Sequence, residues 1–86
     1  MTYTIVIRRA AQKVLASLQP KDRERVLTAI QALATHPRPD GCVKMEDRPN
    51  AWRVRVGRYR VLYQINDDAL IVSVTAVGHR RDIYRN

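Results

Sequence analysis

The spacing of apolar residues changes along the chain, and each change predicts an element. Thr2 to Ile7 alternates and is rich in β-branched residues, which predicts a short strand. From Arg8 to Leu18 the spacing turns helical: Ala10, Val14 and Leu18 share a face, with Ala11 and Leu15 beside them. Gln19-Pro20 breaks this helix. Proline suits the first position of the next one, where its missing N–H would have no partner anyway. Asp22 and Glu24 fall in that first turn and complement the helix dipole. Val26, Ile30 and Leu33 form the second apolar stripe, flanked by Leu27 and Ala34, and His36-Pro37 closes it.

Beyond the Pro/Gly loop from His36 to Gly41 the period becomes two. Short strands are predicted at Val43 to Met45, Trp52 to Val56 and Tyr59 to Ile65, with Glu46 to Asn50 as a turn. A turn at Asn66-Asp67-Asp68 leads into the longest strand, Ala69 to Val77, and a polar tail runs from His79 to Asn86. The expected fold is α+β. An N-terminal strand and a helix hairpin pack on a mostly antiparallel four- to five-stranded sheet, in a single domain over residues 1–86. The helix pair should cover one sheet face and leave the other to solvent.

Gly57-Arg58 is the most informative turn. A two-residue loop with glycine first suits a primed turn. It sets Val56 opposite Tyr59, Arg55 opposite Arg60, Val54 opposite Val61, Arg53 opposite Leu62 and Trp52 opposite Tyr63. Pleating then gathers Trp52, Val54, Val56, Tyr59, Val61 and Tyr63 on a core face, and Arg53, Arg55 and Arg60 on the other. A second two-residue turn at Asp67-Asp68 would add Leu70, Val72, Val74 and Ala76 to the core face. Ser73, Thr75 and Val77 would then join the arginines, and so would His79 if the strand continues past Gly78. Leu62 and Ile71 interrupt the polar pattern of that second face and are expected near one end, under a loop or a partner. Like charges directly opposite each other are destabilising. The pair Arg55 and Arg60 therefore predicts either an anion-binding face or guanidiniums that point apart into solvent.

Charge sharpens this picture. The 86 residues carry 16 Lys plus Arg against 8 Asp plus Glu, a net charge of +8, and 13 of the 16 cations are arginine. Arginine's planar fork suits bidentate phosphate binding and stacking on bases, so nucleic acid is the first partner to consider. Cys42 is the one cysteine, which excludes an internal disulfide and fits a reducing, cytoplasmic setting. No apolar run reaches the roughly 20 residues of a membrane span, and no metal or other cofactor is expected. The tail adds His79, Arg80, Arg81, Tyr84 and Arg85 at the end of the last strand. Histidine is the side chain whose ordinary pKa lies closest to neutral.

Two segments, Trp52-Arg53-Val54-Arg55-Val56-Gly57-Arg58-Tyr59-Arg60-Val61-Leu62-Tyr63 and Val77-Gly78-His79-Arg80-Arg81-Asp82-Ile83-Tyr84-Arg85, resemble the RelE/ParE superfamily of toxin–antitoxin toxins. The second segment resembles the RelE branch in particular. The resemblance covers essentially the whole chain and implies a microbial-ribonuclease-like fold. It also implies cleavage of mRNA in the ribosomal A site, and a cognate antitoxin that masks the active surface in a hetero-oligomer; the few, scattered acids make the cleavage expected to be metal-independent.

By that resemblance Arg53 and Arg55 match the basic residues of the family hairpin, and Arg60 its transition-state arginine. Arg80 matches the basic residue after the last strand, Tyr84 the C-terminal tyrosine, and His79 the histidine of related ribosome-dependent toxins. RelE-type hairpins can carry lysines where this chain has Arg53 and Arg55; arginine keeps its proton, so these two are expected as fixed cations. Arg60, Arg53 and Arg55 are then expected to stabilise the phosphorane, and His79 to transfer protons. Arg80 would contact phosphate or the leaving group, and Tyr84 would stack on or orient a nucleotide. Arg58, Arg81 and Arg85 would add RNA contacts. Arg8, Arg9, Lys13, Arg23 and Arg25 would either dock ribosomal RNA or form a solvated helix face. A ParE-like gyrase inhibitor and a non-catalytic RNA-binding module are the alternatives.

Overall fold

The computed structural model describes residues 2–79. Strand β1 (Thr4–Ile7) leads into helix α1 (Arg9–Ser17) and helix α2 (Pro20–Ala32), followed by β2 (Val43–Met45), β3 (Ala51–Val56), β4 (Tyr59–Asn66) and β5 (Ile71–His79). The five strands form one mixed sheet in the order β1-β5-β4-β3-β2. β1 lies parallel to β5, and every other neighbouring pair is antiparallel.

Both helices lie on one side of this sheet. Ala11 and Leu15 of α1, Val26 and Ile30 of α2, and the adjoining Leu33 meet Val61, Tyr63 and Ile65 of β4 and Val72, Val74 and Val77 of β5. Ala11, Val26, Ile30, Val61, Val72 and Val74 are completely removed from solvent. Burying a residue such as Ile30 contributes about 1.5–3 kcal/mol, so this layer is where the fold draws its stability. Pro20 opens α2 as its position in the sequence predicts.

The end of α1 needs a separate device, because its last carbonyls have no partner within the helix. Arg23 supplies it from α2: its guanidinium donates to the carbonyl oxygens of Leu15 at 3.0 Å, Ala16 at 3.2 Å and Leu18 at 3.0 Å. Arg23 is thus a cap for the neighbouring helix, and the expectation that it stands in solvent or docks RNA is corrected. Helix α2 stops at Ala32, short of the His36-Pro37 step, and residues 33–35 continue as turns.

The hairpin β3–β4 has the predicted register at all five pairs, from Val56 opposite Tyr59 to Trp52 opposite Tyr63. Gly57 has φ of +60°, a conformation that glycine adopts without steric cost, while Arg58 is not among the positive-φ residues.

The second hairpin departs from the prediction twice. Its connection has four residues, because Asn66 pairs with Ile71 rather than closing directly across Asp67-Asp68. The Asn66 side chain accepts the Ala69 N–H at 2.9 Å, and Leu70 sits in the loop at φ +56° instead of in the core strand. Further along, the register shifts: Tyr63 pairs with Val74, but Leu62 pairs with Ala76. Thr75 is the extra residue, and its hydroxyl donates to the Leu62 carbonyl at 3.2 Å. A β-bulge of this kind reverses the facing of everything beyond it. Val77 therefore enters the core, Ala76 moves to the open face, and His79 lies opposite Tyr59 on the helix-covered side. The predicted facings of Ala76, Val77 and His79 are corrected accordingly.

Candidate nucleic-acid interface

The side of the sheet away from the helices carries Arg53 and Arg55 of β3 and Arg60 and Leu62 of β4, as the alternation of the first hairpin requires. Arg60 occupies the middle of this cationic group. Across one strand boundary it meets Arg55; across the other it meets Gly78, which has no side chain to fill the space beside it. Arg53 lies between Val43 on β2 and Leu62 on β4. Arg53 and Arg60 are half-buried, and their Nε atoms are shielded from solvent. Arg55 is exposed, and its Nε donates to the Gly57 carbonyl at 3.3 Å, which turns it toward the hairpin end.

The hairpin end collects further cations. Arg58 sits in the turn itself. Arg25 of α2 reaches the same place: its Nη1 lies 3.3 Å from where a Cβ on Gly57 would be. What brings it there is one turn earlier on α2. Tyr59 donates its hydroxyl to Asp22 at 3.0 Å, which ties the hairpin to that helix. The same bond to a carboxylate raises the Tyr59 pKa above its ordinary value. The sequence had placed Arg25 among general basic residues. The i, i+3 spacing from Asp22 was the available signal, but it could be read only once Tyr59 was known to meet Asp22.

His79 is separated from the arginines by the bulge. Its ring stands edge-on to Tyr59, with centroids 6.0 Å apart and planes at 80°. His79 thus stands on the Tyr59 side of the sheet and not on the arginine face, where the alternation predicted it. Arg80, Arg81, Tyr84 and Arg85 lie outside the described residues.

A second polar group sits away from the arginine face and is structural. Asp67 accepts from Arg38 at 2.8 and 3.3 Å and from the Tyr3 hydroxyl at 2.6 Å. The Arg38 bonds, followed by the Tyr3 bond, hold the Asp67 carboxyl below its usual pKa. Arg38 also stacks over Trp52, 5.2 Å from the ring centroid. Tyr63 donates to the Pro37 carbonyl at 2.8 Å, and burial pushes its phenol well above the ordinary value. Together these contacts fix the 36–41 loop and the β4–β5 loop.

This chain and its fold have counterparts among known proteins. The family described as "ParE toxin of type II toxin-antitoxin system, parDE" matches residues 5–84. Toxin RelG of Mycobacterium tuberculosis is 33% identical over 86 residues, covering 99% of both chains. Among solved structures, the archaeal RelE–RelB complex of Pyrococcus horikoshii superposes with a TM-score of 0.84 at 28% identity, covering 95% of this chain and 99% of that one. The RelBE2 toxin–antitoxin complex of Mycobacterium tuberculosis gives 0.79 at 28% identity, covering 93% and 100%. The chain belongs to the RelE/ParE superfamily of toxins from type II toxin–antitoxin systems.

Proposed function

We propose that this toxin is a ribosome-dependent endoribonuclease that cuts mRNA in the A site. The observation that carries this reading is the open strand face on which Arg53, Arg55 and Arg60 stand together. Like charges at opposed strand positions are unfavourable, and Arg55 and Arg60 occupy such positions; a phosphate on this face turns that cost into binding. In the proposed reaction the RNA 2′-hydroxyl gives its proton to solvent water and attacks the adjacent phosphorus in line. The bond to the 5′-oxygen breaks, that oxygen takes a proton from solvent water, and the products carry a 2′,3′-cyclic phosphate and a 5′-hydroxyl. Arg60, opposite Gly78 on β5 and Arg55 on β3, stabilises the phosphorane, and Arg53 and Arg55 share the charge. Arg58 and Arg25 at the hairpin end hold flanking phosphates. Arg80 contacts the leaving group, Tyr84 stacks on a base, and Arg81 and Arg85 extend the RNA contacts. His79, on the Tyr59 side, is not part of the phosphate cradle.

The toxin's partner in the resting state is a cognate antitoxin, whose acidic or amphipathic segment covers the cationic face. The names of the solved neighbours, RelE–RelB and RelBE2 complexes, support that part of the reading.

The match to a ParE-described family favours one other reading, inhibition of DNA gyrase by binding alone. Mapping RNA and DNA ends after induction of the toxin without antitoxin separates the two. The expected result is new ends within codons of translated mRNA. DNA breaks accompanied by intact mRNA would overturn the nuclease reading.

A further inference from the structure

Next to the arginines the open face is not flat. Beyond Leu62 it sinks into a hollow of about 380 Å³ lined by Met45, Ala51, Leu62, Gln64 and Ala76, with Asp47 and Arg48 at its rim. That volume falls in the range of about 300–1,000 Å³ typical of small-ligand sites.

Three features of the chain build the hollow. The bulge at Thr75 sets Ala76, a one-carbon side chain, opposite Leu62. Ala51 supplies a second small side chain opposite Gln64. It is 5% exposed and yet absent from the core cluster, because it lies on the open face beside Met45. The 46–50 loop closes the rim. Asn50 turns back at φ +55°, and its carbonyl accepts the Ile65 N–H at 3.1 Å. The result has apolar walls, a carboxylate, a guanidinium and a side-chain amide.

We infer that this hollow receives one base of the RNA next to the cut, and that Gln64 and Asp47 read its edge. The inference rests on the nuclease reading and adds the residues that set sequence preference. Geometry favours a base there. Gln64 and Leu62 stand on the same strand and the same face as Arg60, so a nucleotide whose phosphate lies on Arg60 has its base within a strand's length of the hollow. The apolar lining from Leu62 and Met45 suits the face of a base, and the amide of Gln64 offers both a donor and an acceptor to its edge. Asp47 adds an acceptor, which favours a base with an exocyclic amino group.

The test is the base composition around mRNA cuts, read by sequencing RNA ends after induction of the wild type, Gln64→Ala, Gln64→Glu, Asp47→Ala and Arg60→Ala. The wild type is expected to show a preference of about tenfold at one nucleotide beside the cut, the size that one well-made polar contact to a base edge supplies. Gln64→Ala and Asp47→Ala are expected to flatten that preference to within about twofold while cutting continues. Gln64→Glu removes the donor and keeps the acceptors, so the preferred base is expected to change, which a merely structural role would not produce. An unchanged preference in all three variants, with Arg60→Ala silent, would overturn the base site and leave the nuclease reading standing. No cutting by the wild type would overturn both.

Discussion

The two faces of the sheet are built from the same strands and do opposite things. On the helix-covered face, Val61, Tyr63, Val72 and Val74 are at most 1% exposed and touch the apolar stripes of α1 and α2. On the open face, the neighbouring positions of the same hairpin carry Arg53, Arg55 and Arg60. One residue's step along a strand separates an apolar side chain of the core from a cation on the other face. Changes on the covered face should therefore be read in stability, and changes on the open face in RNA cleavage.

Substitutions can break or sharpen that contrast. The largest stability effect is expected at Ile30, which has no exposure at all. Ile30→Ala removes most of a fully packed side chain and should cost about 2–5 kcal/mol in denaturant unfolding. A loss well below that would mean the helix layer is not the chief stabilising contact. Gly57→Ala puts a Cβ at positive φ and 3.3 Å from the Arg25 guanidinium; about 1–3 kcal/mol of strain is expected, seen as a lowered melting temperature.

Arg23→Ala withdraws the three bonds that cap α1. A loss of about 1–2 kcal/mol is expected, together with faster amide exchange at the end of α1, and cleavage by the remaining folded protein should be unaffected. The smallest effect concerns acid. The Asp67 pKa is depressed by Arg38 and Tyr3, so its contribution is complete above the ordinary carboxylate pKa and is lost as pH falls through the depressed folded value. Asp67→Asn should remove that part of the acid destabilisation, detectable as a slightly flatter stability profile below about pH 4.

The first hairpin was legible because one turn decides it. With Gly57-Arg58 as a two-residue loop, every pair from Val56–Tyr59 back to Trp52–Tyr63 follows, and so does the arginine face. The second hairpin was not legible. The string Ser73-Val74-Thr75-Ala76 alternates like a regular strand, and its one break, the apolar pair Ala76-Val77, does not by itself mark Thr75 as an extra residue. What selects the bulge is tertiary: Val74 and Val77 both reach the core, and the Thr75 hydroxyl finds the Leu62 carbonyl.

That single inserted residue moved His79 to the Tyr59 side, and with it one member of the expected site. The capping role of Arg23 was hidden for a related reason, since three carbonyls at the end of α1 become its partners only when the helices pack. The hollow beside Leu62 follows from the same bulge, and the sequence hinted at it only through an apolar residue on a polar face.

The most direct test of the arginine face is a single-turnover cleavage rate on ribosomes programmed with a defined mRNA, for the wild type and for Arg60→Ala. The substitution is expected to slow cleavage about 10²–10³-fold, the effect of removing one preorganised contact to developing negative charge, with the fold retained because the side chain lies on the face away from the helices. Arg60→Ala cutting at the wild-type rate would contradict the assignment of this face to catalysis.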